Sequence, residues 1–110
     1  MKNVWIVMVV CCLWLVVAAA VQADGKGPEQ MDLKARFQVE GSKKAVIFPH
    51  HQHQAKLACT KCHPSDAGGP LVVTIENKSG TANDFHKKFC WPCHVEMQVP
   101  KGKMCMTCHK

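Results

Sequence analysis

Hydrophobic positions fall into distinct regimes along the chain. Val4 to Val21 is an apolar run of 18 residues without a charge. From Leu33 the pattern becomes an alternation, with Leu33, Ala35, Phe37 and Val39 set between charged or polar residues. Period two predicts a strand. Glu40-Gly41-Ser42-Lys43-Lys44 reads as a turn, and Ala45-Val46-Ile47-Phe48 is a second short apolar run. Together they predict a small β-hairpin, which must pack on something else because two strands are not stable alone. After Pro49 a short helix is expected from His50 to about Leu57. Pro64 to Asp84 is a long connection holding Gly68-Gly69-Pro70 and Lys78-Ser79-Gly80, in which Leu71 to Ile75 reads as an extra strand or an extended covering segment. Asp84 to His94 reads as a helix with Asp84 near its N-terminus. The last segment, Pro100 to Lys110, is lysine-rich.

The first regime is a targeting signal. Lys2 precedes the apolar run, and Val21-Gln22-Ala23 suits signal peptidase, so residues 1–23 are expected to be a signal peptide cleaved after Ala23. Eighteen apolar residues also border on a bilayer span, so the alternative is an uncleaved N-terminal membrane anchor. Cys11 and Cys12 lie inside this run and read as ordinary apolar residues of it. Asp24 to Gln30 is a polar lead-in to a single domain over residues 24–110.

Of 110 residues, 47% are apolar, but 20 of them fall in residues 1–23. The remaining 87 residues hold 32, and six of those are cysteines. A small domain with so few core candidates is marginal by burial alone and needs staples: disulfides, a metal or a large cofactor. This composition argues against a large enzyme with a deep protein-built pocket and against a self-sufficient hydrophobic globule. Export would ordinarily turn six cysteines into three disulfides.

Their spacing argues otherwise. Cys59-Thr60-Lys61-Cys62-His63, Cys90-Trp91-Pro92-Cys93-His94 and Cys105-Met106-Thr107-Cys108-His109 are three copies of Cys-x-x-Cys-His, the c-type haem attachment motif. Two thiols one turn apart can form thioethers with the two vinyl groups of one haem, and the next His then lies under the iron. Zinc sites pair two such half-sites, and three divide badly into pairs. A redox dithiol has no use for the His that follows every time. The six cysteines are therefore expected to hold three c-type haems (heme c).

Three of the seven histidines are then proximal ligands, leaving His50, His51, His53 and His86 for three sixth positions. His50 and His53 are i and i+3, on one helical face, and can reach two different irons. His51 points about 100° away from His50 and is the spare, or runner-up, ligand. His86 is too near Cys90 to reach the far face of that haem, so it suits another one. Met31, Met97, Met104 and Met106 are the competing ligands, and a Met ligand would raise the potential.

With these residues, the sequence resembles a triheme cytochrome c7, the three-haem branch of the class III, cytochrome c3-like multihaem cytochromes. The resemblance runs from about Leu33 to Lys110. It is most specific at Val46-Ile47-Phe48-Pro49-His50-His51-Gln52-His53 and the following Cys59-Thr60-Lys61-Cys62-His63. It implies a small multihaem cytochrome: a short N-terminal two-stranded antiparallel β-hairpin and a few short helices wrapped around three haems. It also implies the pairing of axial ligands. His50 would stand opposite His63, His53 opposite His94, and His86 opposite His109. Two features depart from the family: the additional His51, and a 64–85 connection longer than in compact members.

The expected activity is low-potential periplasmic electron transfer between redox protein partners, a donor and an acceptor, by a monomer. Six-coordinate iron offers no substrate position, so no catalytic residue is assigned, and reduction of soluble metal ions at an exposed haem edge would be outer-sphere. The alternative is a haem enzyme with one open iron. Losing Lys2 with the leader takes the formal charge from +6 to +5, and haem propionates offset more. Lys87, Lys88, Lys101, Lys103 and Lys110 then read either as a docking face that raises association rate or as a solvated surface. Nucleic-acid binding has no motif support, and no stable membrane insertion is expected once the leader is cleaved.

Overall fold

A computed structural model describes residues 26–110. The signal peptide assigned to residues 1–23 lies outside the described residues. No helix among the described residues is long and apolar enough to cross a membrane.

Elements are short and follow the order β1 (Met31–Asp32), α1 (Leu33–Phe37), β2 (Ile47–Phe48), α2 (His50–Gln54), a 3-10 turn (Cys59–Lys61), a π-wound turn (Phe85–Cys90), α3 (Trp91–Glu96) and α4 (Cys105–Cys108). β1 and β2 pair antiparallel, with Met31 opposite Phe48 and Asp32 opposite Ile47.

The hairpin therefore exists, but its first strand is not where the alternation put it. Leu33 to Phe37 is helical instead. Asp32 caps that helix, its carboxylate accepting a hydrogen bond from the Ala35 amide at 2.9 Å, as a good N-cap does. Gln38 ends it in the left-handed region at φ 54°. Leu33 and Phe37 are i and i+4, so they share a face of a helix as readily as of a strand. The capping aspartate decides between them. Leu33 stays tied to the second strand through its amide, 3.0 Å from the Val46 carbonyl.

Leu71 to Ile75 is extended but pairs with no strand. Leu71, Val73 and Ile75 are half-buried, whereas Val72 and Thr74 are exposed. The Val72 amide donates to the Cys62 carbonyl at 3.0 Å, which docks the long connection beside the first Cys-x-x-Cys-His. Its far end is held by Asp84, whose buried carboxylate accepts from the Glu76 and Asn77 amides at 2.9 and 3.0 Å and from Lys88 Nζ at 3.0 Å. Those bonds, the two amides foremost, hold the Asp84 carboxyl below its usual pKa. Asp84 thus stands at the N-terminus of the turn that follows, as expected, while its carboxylate braces the loop and makes no capping bond to that turn.

Conventional core is almost absent. Among the described residues only Phe85 is a buried apolar side chain, and it meets Phe37 edge-on at 5.1 Å.

Candidate cofactor-binding site

Each of the six histidines assigned as ligands is held the same way. Its Nδ1 lies within hydrogen-bonding distance of a backbone carbonyl: His50 on Pro28 (2.9 Å), His53 on Pro49 (3.0 Å), His63 on Pro70 (3.0 Å), His86 on Thr81 (2.7 Å), His94 on Gly102 (3.0 Å) and His109 on Lys44 (2.6 Å). A carbonyl can only accept, so Nδ1 carries the proton. Nε2 is left as a lone-pair donor, the state a metal-ligating histidine needs. The His109 bond spans 65 positions and ties the C-terminal motif to the turn before β2.

The same six rings come together in three pairs. His50 faces His63, His53 faces His94 and His86 faces His109, each at a centroid separation of 6.3 Å. Each pair joins one histidine of a Cys-x-x-Cys-His motif to one outside the motifs. An imidazole nitrogen sits about 1.1 Å from its ring centre, and metal–imidazole bonds are about 2.0–2.1 Å. Two imidazoles on opposite sides of one metal ion therefore have centroids about 6.3 Å apart. The planes differ between pairs, at 88° for His50 with His63, 19° for His53 with His94 and 81° for His86 with His109.

His51 stands apart by its bonding. Its ring is also 6.3 Å from His50, but the two are successive residues of one helix. Its Nδ1 has no carbonyl partner of the kind the other six share, and its Nε2 is buried with no hydrogen-bond partner among the described residues. Of the methionines, Met31 is half-buried in β1. Met97, Met104 and Met106 are exposed, and Met97 Sδ rests 3.7 Å from Cys93 Sγ.

The six cysteines among the described residues, Cys59, Cys62, Cys90, Cys93, Cys105 and Cys108, form no disulfide with one another. Burial, with the neighbouring Cys108, Cys62 and Cys93, pushes the Cys90 thiol up to about 12. Cys62 is raised by burial and then by Cys93 and Cys59. Cys108 is raised by burial, against an opposing pull from Lys110. The three motifs thus converge. A reactive dithiol needs its pKa lowered, so these shifts run against thiol redox chemistry. Among the described residues no three His, Cys, Asp or Glu side chains gather as a metal shell, whereas structural zinc takes four protein ligands. A haem iron asks the protein for only two, because the porphyrin supplies four. The donor set fits that group.

Sequence reasoning missed the backbone acceptors, since a carbonyl has no residue signature. It also missed the aromatic rings on the histidines: Phe48 lies 4.4 Å from His53, and Trp91 lies 4.4 Å from His86. Gly102 is buried and leaves no room for a side chain, since a Cβ there would meet His94 Cβ and Nδ1 at 3.0 Å. Of the five lysines read as a docking face, all are exposed. Lys88 pairs with Asp84 at 3.0 Å, and Lys103 Nζ stands 5.0 Å from the Trp91 ring centre.

No family model, no curated protein and no solved structure matches the chain.

Proposed function

We propose that this chain is an exported electron-transfer protein carrying three c-type haems. The observation that carries this reading is the set of three histidine pairs at 6.3 Å, each with both Nδ1 atoms bonded to carbonyls. Cys59 and Cys62 would hold the first haem, with His63 and His50 as its iron ligands. Cys90 and Cys93 would hold the second, with His94 and His53. Cys105 and Cys108 would hold the third, with His109 and His86. When bound, each haem supplies one iron that takes up and releases a single electron.

The residues of the chain set how that electron is held. Two neutral imidazoles per iron stabilise the oxidised form more than a methionine would and keep the potential low. Each Nδ1–H···O=C bond makes its imidazole a stronger donor and lowers the potential further. A histidine on both sides leaves no place for a substrate, which favours transfer between redox partners over catalysis at the metal. Outer-sphere reduction of soluble metal ions fits the same arrangement. Periplasmic location follows from the leader and from the export that haem attachment requires.

An anaerobic redox titration of the purified exported protein, followed in the optical spectrum, tests this. Three one-electron steps with low-spin spectra throughout are the expected result. A high-spin component in the unaltered protein would instead assign an open iron and an enzyme.

A further inference from the structure

Of the six paired histidines, His86 is the one with an indole stacked nearly parallel on its ring. Its Nδ1 is anchored on the Thr81 carbonyl at 2.7 Å. One face lies against Trp91, with centroids 4.4 Å apart and planes only 8° from parallel. Phe48 touches His53 at the same distance but tilted by 37°. Local winding explains the stack. An α-helix sets residues five apart about 140° around its axis. The π-wound turn Phe85–Cys90 is wider, and it closes that angle so that residue 91 comes back over residue 86. Lys103 adds a cation within range of the same indole, at 5.0 Å.

Trp91 lies between Cys90 and Cys93, yet the ring it stacks on faces His109, the histidine of the next motif. One side chain therefore belongs to the attachment loop of the second motif and to the ligand pair of the third. We infer that Trp91 is a positioning residue for His86, fixing the plane of that imidazole nearly perpendicular to His109. This rests on the haem reading above. Its consequence is spectroscopic. Parallel imidazoles split the iron's dxz and dyz orbitals, whereas crossed ones leave them nearly equal in energy. Freed to turn about its bond to iron, His86 would lose its 81° angle to His109, and the splitting at that one iron would change.

The test compares Trp91→Leu and Trp91→Phe with the unaltered protein, each first weighed for covalent haem. Low-temperature EPR of the oxidised proteins and redox titration are the readouts. Trp91→Leu should alter the signal and the potential of one iron in three, and Trp91→Phe, which keeps an aromatic face, should largely restore both. Three haems in Trp91→Leu with signals and potentials unchanged would overturn the inference. So would loss of a haem in Trp91→Leu, which would make the indole an attachment residue. Absence of haem from the unaltered protein would be a different failure, that of the functional reading itself.

Discussion

Made without haem, the chain from Asp24 to Lys110 is expected to show no cooperative unfolding transition. One buried apolar side chain, Phe85, is what the described residues offer as core. Full burial of such a side chain is worth about 1.5–3 kcal/mol, while fixing one residue's backbone costs about 1–2 kcal/mol. Leu33, Phe37, Leu71, Val73 and Ile75 are only half-buried. Val72, Val95, Met104 and Met106 keep 51%, 59%, 55% and 65% of their surface exposed. The elements are helices of four to six residues, far below the length at which helices stand alone, and a sheet of two two-residue strands. Chain expressed in a compartment without haem attachment should therefore give a featureless thermal melt by circular dichroism. The exported protein should melt sharply and at much higher temperature. A sigmoidal melt of the haem-free chain would mean that the fold has a source of stability other than the cofactors.

The second large effect concerns the ligands. His53→Ala removes the partner that faces His94 at 6.3 Å with planes 19° apart. One iron of three should become five-coordinate and high-spin in the oxidised protein, and its potential should rise, because a donor that favours the ferric state is gone. His51→Ala is the control from the same helix. Among the described residues His51 faces no motif histidine and lacks the Nδ1–carbonyl bond that the six paired rings share, so the spectrum should remain low-spin. A high-spin signal in His51→Ala and none in His53→Ala would exchange the two roles.

The sequence carried the site further than the fold. Cys-x-x-Cys-His is legible because its chemistry is local: thiols and imidazole come from five successive residues. His50 and His53 were legible as a pair because helical spacing puts them on one face. The partner of each was implied by the family resemblance, and in the structure the same histidines lie two by two with ring centroids 6.3 Å apart. The strand expected from Leu33 failed because apolar residues at 33 and 37 satisfy both periods. Asp32, the residue that decides, sits outside the alternating run. The aromatic stack on His86 was invisible because it depends on a π-wound turn, whose spacing sequence patterns read as ordinary helix. The acceptors on the six imidazoles were invisible because any residue can supply a carbonyl.

The central claim is that haem, covalently held, organises this chain. The intact mass of the exported protein under denaturing conditions tests it most directly. The account predicts the mass of residues 24–110 plus three haems, retained through unfolding because thioethers do not dissociate. The bare mass of the polypeptide, with its six cysteines as thiols or disulfides, would contradict it.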